Sequence, residues 1–178
     1  MATPPDFTVG QVLTAAQMNA VGMWKTGSVT LTGQTTAQIN DCFMADFDNY
    51  LLIYSIKGTS SGFYFRLSVG GVPNATANSY VQSGRYVGYP TVGAGDFNGS
   101  GDSFGLSFYS TFMNAGNLTI VAPFKAETTS FSGTYNSQNA SVYTGGYHNQ
   151  NTSYDGLYFY NTTATGMTGT ISVIGINQ

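Results

Sequence analysis

The chain has 178 residues and a formal net charge of −3, with 7% charged but 15% aromatic residues. Disordered chains are highly charged and poor in aromatic residues, so this composition predicts a folded chain, and the length suits one domain. The charge balance offers no basic patch for nucleic acid, and no stretch approaches the ~20 apolar residues of a membrane-spanning helix. Cys42 is the only cysteine, which rules out a disulfide within the chain.

The chain opens with a short amphipathic segment, which we interpret as an anchor arm over residues 1–26. Thr14 can cap a helix and Gln17 can reach back to the Thr14 backbone, so a helix is predicted near Thr14 to Asn19. A helix of roughly two turns does not persist alone in water and needs a surface to lie on. That surface is either the chain's own β domain or a larger assembly. The side chains expected to make this contact are Phe7, Val12, Leu13, Met18 and Trp24.

Alternation of apolar and polar side chains dominates from Gly27 onward, as in half-buried strands. The alternating segments include 63–69, 104–112, 118–122 and 157–160. Gly27 to Leu31 and Gly169 to Val173 share a pattern, and we expect them to pair as the first and last strands. Asn49 to Ile56 is apolar on both faces, which predicts that the core covers one face and a neighbour covers the other.

Glycine-rich and asparagine-rich segments between these strands are predicted to be turns. They are Gly58 to Gly62, which we expect to close a hairpin, Gly70-Gly71, Gly93 to Gly101, Asn114 to Asn117 and Gly145-Gly146. Several short strands separated by such turns indicate a β-sandwich or jelly roll. We therefore predict an all-β fold, a β-sandwich of jelly-roll type over residues 27–178 with a short N-terminal helical anchor arm.

Motifs for catalysis and metal binding are weak. Gly58 to Gly62 matches the nucleophile pattern G-x-S-x-G, but that motif precedes a helix, whereas a strand is predicted here. A serine nucleophile also needs a base, and His148 is the only histidine. One cysteine and one histidine cannot form a zinc site, and Asp96 to Ser107 lacks the closing glutamate of a calcium loop. We expect no enzymatic activity, no metal and no cofactor.

Six tyrosines lie between Gly133 and Asn161, among Asn, Ser, Gln and Gly residues. Rigid amphipathic rings beside adaptable amides and hydroxyls are typical of a paratope, and sugar rings stack on aromatic faces. The alternative is that most of these rings pack within the sheet or between subunits. If the region binds a ligand, we expect the outward tip to consist of loops at Gly93 to Asp102 and Tyr143 to Tyr154. The residues expected to contact the ligand are Tyr143, Tyr147, Asn149 and Tyr154.

Several segments resemble the tail fibre and minor tail proteins of tailed bacteriophages. Phe7 to Asn19 is similar to their N-terminal segment, and Phe47 to Ile53 is similar to a strand early in their head domain. Asp155 to Tyr160, followed by Gly166 to Ile176, is similar to the closing part of that domain. The resemblance implies a homotrimer with a sandwich-type head, located in the virion after synthesis in the host cytoplasm.

Two functions follow from this resemblance and stay open. One is a receptor-binding fibre head that attaches to host surface glycans, and the other is a capsid-decorating subunit, a cement or head-fibre trimer with an architectural role. In both, the arm would join other virion proteins. The chain has no heptad or shaft region between Val21 and Gly27, which departs from long fibres and leaves room for the second function. Neither function involves nucleic acid or membrane insertion.

Overall fold

The computed structural model describes residues 22–58, 62–88, 93–107, 113–137, 140–162 and 166–176, together with Gly10 and Val12. Every regular element in this part of the chain is a β-strand, which confirms the all-β prediction. No helix long and apolar enough to cross a membrane occurs among these residues. The helix expected near Thr14 to Asn19 lies outside them.

The described residues form two sheets in which neighbouring strands are antiparallel. The larger sheet contains β1 (Met23–Gln34), β3 (Asn49–Lys57), β6 (Tyr80–Gly88), β7 (Ala94–Gly101), β9 (Met113–Val121), β10 (Thr129–Ser137), β11 (Ala140–His148) and β13 (Met167–Ile176). The smaller sheet contains β2 (Thr36–Ile39), β4 (Phe63–Val69), β5 (Val72–Pro73), β8 (Phe104–Ser107) and β12 (Gly156–Asn161). The strand order is β1-β13-β3-β9-β10-β11-β6-β7 in the larger sheet and β2-β12-β4-β5 in the smaller, where β8 also pairs with β4.

The first and last strands of the chain pair with each other, as the sequence predicts. In the β1–β13 ladder, Gly27 lies opposite Val173 and Leu31 lies opposite Gly169. The ladder begins at Met23, so residues 23–26, which we expected to belong to the arm, already lie in the strand. The other neighbour of β13 is β3, which places the strand predicted to be apolar on both faces inside the larger sheet.

The inward sides of the two sheets contact each other through aromatic rings, which gives a sandwich-like arrangement. Phe65 of the smaller sheet meets Phe131 of the larger sheet edge to face, with ring centroids 5.3 Å apart. Tyr54 and Phe63 make a second contact between the sheets at 6.0 Å. The predicted alternation accounts for this core, since the inward side chains of β4, β9 and β12 are buried. Each fully buried large apolar side chain contributes about 1.5–3 kcal/mol to stability.

The hairpin predicted at Gly58 to Gly62 is wrong. The strand before it, β3, belongs to the larger sheet, whereas the strand after it, β4, belongs to the smaller sheet. The connection therefore crosses from one sheet to the other. Turn-forming residues indicate that a strand ends, but they carry no information about which sheet takes the next strand.

Three further predicted turns lie instead within strands. Almost all of Gly93 to Gly101 forms β7, Asn114 to Asn117 lies within β9, and Gly145-Gly146 lies within β11. At Gly116, in β9, a Cβ atom would come within 2.6 Å of side-chain atoms of both Tyr54 and Tyr135. Glycine at this position makes room for the rings of adjacent strands rather than for a chain reversal.

The turn predicted at Gly70-Gly71 is confirmed. Gly70 and Gly71 have φ angles of 55° and 79° and connect β4 to β5, with Val69 paired to Val72. A two-residue hairpin with positive φ at both central positions suits glycine, because a Cβ atom is strained in that conformation.

Candidate functional site

The outward side of the larger sheet, which we call the broad face, carries two different kinds of side chain. Small polar residues of β9, β10 and β7 cover much of it. Exposed or half-buried aliphatic side chains lie on β1, β13, β3 and β9, with Val87 on β6 as a further exposed one, whereas exposed tyrosines lie on β11. The broad face therefore offers two surfaces, one aliphatic and one with exposed tyrosines.

An exposed aliphatic patch occupies one end of the broad face. Its aliphatic members share the outward side of neighbouring strands with Lys25 and Asn49, and each of them is exposed or half-buried: Met23, Leu51, Ile53, Val121, Ile174 and Ile176. Ile53 is 43% exposed, although its neighbours Leu52 and Tyr54 on the opposite side of β3 are buried. A shallow open depression of about 720 Å³ adjoins Ile53 and extends over Asn117 and Thr134. In the single chain, then, only one of the two apolar sides of β3 is fully covered.

Tyr143 and Tyr147, two of the predicted ligand-binding residues, lie on the broad face. They are 60% and 43% exposed and point outward from β11, with Gly145 between them on the same side. The two positions are about 13 Å apart along the strand, from a rise of ~3.3 Å per residue. Arg85 is the cross-strand neighbour of Tyr143 and makes an exposed ion pair with Asp96 at 3.7 Å. Because β11 is a strand, these rings lie on a sheet face and not on the loop tip that we predicted.

Asn149, the third predicted residue, follows β11 directly and is exposed. Its backbone N–H donates to the Ser79 carbonyl at 2.9 Å, and its side-chain Nδ2 donates to the Asn78 carbonyl at 3.4 Å. Gln150 Nε2 donates to Asn149 Oδ1 at 2.8 Å. The side chain is therefore held by its neighbours, beside the end of the strand that carries Tyr147.

The prediction that Tyr154 contacts a ligand is wrong, because this ring is fully buried. Its hydroxyl lies 2.6 Å from Nε2 of His148 and accepts a hydrogen bond from Asn74 Nδ2 at 2.8 Å. Its backbone N–H donates to the Pro123 carbonyl at 2.8 Å. The polar end of Tyr154 is thus satisfied inside the protein, and the residue belongs to the core, as the alternative interpretation of the tyrosines allowed.

His148 is also buried and forms a small polar cluster with Tyr154 and Tyr80. The Tyr80 ring lies 4.1 Å from the His148 ring, and the Tyr80 hydroxyl accepts from Leu67 N–H at 2.8 Å. Burial lowers the pKa of His148 to about 4, with the Ser79 backbone acting weakly in the opposite direction. His148 is therefore neutral at pH 7, and its contacts with Tyr154 and Tyr80 are structural.

The outward side of the smaller sheet carries a cluster of tyrosines that the sequence did not single out as a site. Tyr64 and Tyr160 are cross-strand neighbours on β4 and β12 with stacked rings 5.6 Å apart, and Tyr158 lies 6.0 Å from Tyr160. The Arg66 guanidinium lies over the Tyr160 ring, 4.6 Å from its centroid. We call Tyr64, Arg66, Tyr158 and Tyr160 the tyrosine platform.

Hydrogen bonds hold Arg66 and Tyr160 of the tyrosine platform in place. Arg66 donates through Nε to the Asp102 carbonyl at 2.9 Å and through Nη2 to the Asp102 carboxylate at 2.5 Å. The Tyr160 hydroxyl donates to Ser103 Oγ at 2.8 Å. Burial, and secondarily the neighbouring Tyr160, raises the pKa of Tyr64, so its hydroxyl stays protonated. The platform is therefore an ordered surface of aromatic rings with an ion pair at its edge.

The alternation of β4 and β12 contained the signal for this platform. Tyr64 and Arg66 alternate with Phe63 and Phe65, so the sequence indicated that they face away from the core. The missing information was that β4 pairs with β12, which brings two distant segments side by side.

The predicted anchor contacts are described only in part. Val12 is 86% exposed, and Trp24 is 38% exposed in β1, opposite Gly175. The other three residues, Phe7, Leu13 and Met18, lie outside the described part of the chain. The docking role of the arm stays a prediction.

No catalytic or metal-binding arrangement emerges among the described residues. The G-x-S-x-G segment has Ser60 outside this part of the chain, while His148 contacts Tyr154. Most of the calcium-like segment is strand β7, and the carboxylate of Asp102 pairs with Arg66. Within the described ranges, no group of three His, Cys, Asp or Glu side chains is placed to hold a metal ion.

Comparison of the chain with protein-family models, curated proteins and solved structures finds no match. Three surfaces of the described residues are therefore candidates for function, beside the resemblance of the sequence to tail fibre and minor tail proteins: the aliphatic patch, the exposed tyrosines of β11 and the tyrosine platform.

Proposed function

We propose that this chain is a virion protein of a tailed bacteriophage, a short trimeric tail-fibre head that attaches the particle to saccharides of the host surface. It acts by binding and not by catalysis, and it needs no cofactor.

The proposed jelly-roll type of the sandwich is supported by the path of the chain, which passes repeatedly between the two sheets: β1, β3 and β13 lie in one, whereas β2, β4 and β12 lie in the other.

The observation that carries this proposal is the separation of aliphatic and aromatic surface on one domain with very few charges. The aliphatic patch lies at one end of the broad face, whereas exposed or half-exposed tyrosines lie on β11 and on the smaller sheet. Aliphatic side chains left open on one side of a soluble domain favour association, which supports subunit contact through the patch. Tyrosines beside polar side chains support recognition of a ligand.

In this proposal the arm, residues 1–26, joins the head to other virion proteins. Trp24 and Met23 lie at the start of β1, an edge strand of the larger sheet, so the arm enters the head beside the aliphatic patch. Subunit association and attachment to the particle would then use the broad face, which leaves the outward side of the smaller sheet, with its tyrosine platform, for the host.

The second candidate function is capsid decoration by the same trimer. The observation that favours it is that β1 begins at Met23, inside the segment 1–26 that we interpret as the anchor arm, which leaves no room for a shaft between arm and head. A head so close to its anchor suits a subunit that lies on a shell. A decorating subunit needs no ligand, so the two functions differ in whether the isolated protein competes with particles for the host cell.

The test is an adsorption competition. Host cells are incubated with the purified full chain at micromolar concentration and then challenged with the particle that encodes it. We expect particle attachment to fall severalfold. An Ile53→Lys variant, whose disrupted aliphatic patch should leave it monomeric, should compete much less, because multivalent binding exceeds single-site binding by about 10²–10⁴. Unchanged attachment at saturating protein would contradict the receptor-binding function and favour capsid decoration.

A further inference from the structure

We propose that the saccharide bound by this head is neutral and that it stacks on the tyrosine platform of the smaller sheet. This inference rests on the proposed function and adds the site and the chemical class of the ligand. It differs from the sequence-based prediction, which placed the site at Tyr143, Tyr147, Asn149 and Tyr154.

Tyr160, the central ring of the platform, is held in position before any ligand arrives. Tyr160 is held by its hydrogen bond to Ser103, by the stacked ring of Tyr64 and by the Arg66 guanidinium over its face. Tyr158 lies at the end of this row, 6.0 Å from Tyr160. Little side-chain entropy is lost when a ligand binds to rings that are already fixed, so weak stacking can contribute fully to affinity.

The distribution of charge favours a neutral ligand. The chain has five cationic side chains, and three of them are paired: Arg66 with Asp102, Arg85 with Asp96 and Lys125 with Asp48. The only cation of the platform is thus already neutralised by Asp102, whose side chain is 47% exposed. An anionic sugar would meet this carboxylate and a net charge of −3, whereas the hydroxyl groups of a neutral sugar can donate hydrogen bonds to it.

The position of the platform allows assembly and binding to occur together. The inward sides of the two sheets face each other, so the platform and the broad face lie on opposite sides of the domain. Tyr143 and Tyr147 share the broad face with the aliphatic patch, which the proposed trimer uses. The platform stays open when the broad face associates, and every subunit of a trimer then presents one site for multivalent attachment.

The test uses the full chain on an array of neutral and anionic bacterial cell-surface oligosaccharides. We expect binding to neutral members only, with millimolar to micromolar dissociation constants when the best neutral member is titrated in solution. Tyr158→Ala should weaken this binding about fivefold, which corresponds to ~1 kcal/mol, because the variant loses a ring face on which the saccharide stacks. Tyr158→Phe should retain it, because the ring face is kept. Tyr143→Ala, on the broad face, is the matched control and should bind like the original chain.

Three results would overturn the inference: binding confined to anionic members, no binding to any member, or loss of binding in Tyr143→Ala but not in Tyr158→Ala. The melting temperatures of the variants show whether a loss reflects misfolding. The adsorption competition distinguishes this failure from failure of the proposed function. If the original chain and Tyr158→Ala compete equally well with the particle, the receptor-binding function stands and the platform site is wrong.

Discussion

Replacement of Tyr154 by Phe tests whether the buried hydroxyl of this residue stabilises the core. The change removes the hydroxyl that lies 2.6 Å from His148 Nε2 and 2.8 Å from Asn74 Nδ2, and it leaves the ring in place. His148 is fully buried and loses its partner without access to water, whereas the half-buried Asn74 amide can be solvated. An unpartnered buried polar group costs about 1–3 kcal/mol, so we expect a loss of about 2 kcal/mol.

Urea unfolding at equal protein concentration measures this loss, which corresponds to a drop of about 4–8 °C in melting temperature for a chain of this length. The matched control is Tyr147→Phe, whose hydroxyl belongs to an exposed ring and whose loss should change stability by less than about 0.5 kcal/mol. If Tyr154→Phe is as stable as Tyr147→Phe, the buried cluster around His148 does not hold the fold as described.

Further variants test the titration of the core, the aliphatic patch and the strand glycines. Folding lowers the pKa of His148 from 6.5 to about 4, so protonation of this group favours the unfolded state. Above pH 6.5 the group does not change the free energy of unfolding, whereas this free energy falls by about 3 kcal/mol as the pH drops towards 4. In urea unfolding, the His148→Gln variant should lack this pH-dependent loss. Ile53→Lys should give monomers by light scattering, whereas Asn98→Lys, at the far end of the broad face, should stay associated; equal oligomeric states would refute the patch. Gly116→Ala places a Cβ 2.6 Å from two tyrosine side chains and should lower the free energy of unfolding in urea by about 1–3 kcal/mol. Gly99→Ala, with open space around it, should lower this free energy much less. Equal losses would contradict the packing role of Gly116.

Much of the strand content followed from local patterns in the sequence. Alternation identified the inward side chains of β4 and β12, and the matched patterns of Gly27 to Leu31 and Gly169 to Val173 predicted the pairing of β1 with β13. These features depend on residues two apart along one strand or on two similar strands, which a single sequence records directly.

Glycine caused most of the errors. The sequence rule that glycine marks a turn holds at Gly70-Gly71, where φ is positive, but it fails in β7, β9 and β11. At Gly116 the reason for glycine is the bulk of Tyr54 and Tyr135 on adjacent strands. A chain with many tyrosines and glycines places some of each side by side, and only the strand register reveals which ones.

The tyrosine platform was also missed because it depends on which strands pair with each other. Tyr143 and Tyr147 were found because their segment is rich in tyrosine, and the same local criterion wrongly included Tyr154, whose environment is set by Asn74. The tyrosine platform joins Tyr64 to Tyr160 across about a hundred residues of sequence, so no local pattern could locate it.

A reconstruction of the particle that encodes this chain tests the central claim most directly, because it gives both the position and the copy number of the protein. We predict a few trimers at the tail, with the aliphatic patches in contact, the arms inserted into the tail and the tyrosine platforms facing outward. Hundreds of copies on the capsid surface would contradict the fibre-head function and establish the decorating one, and absence of the chain from the particle would contradict both.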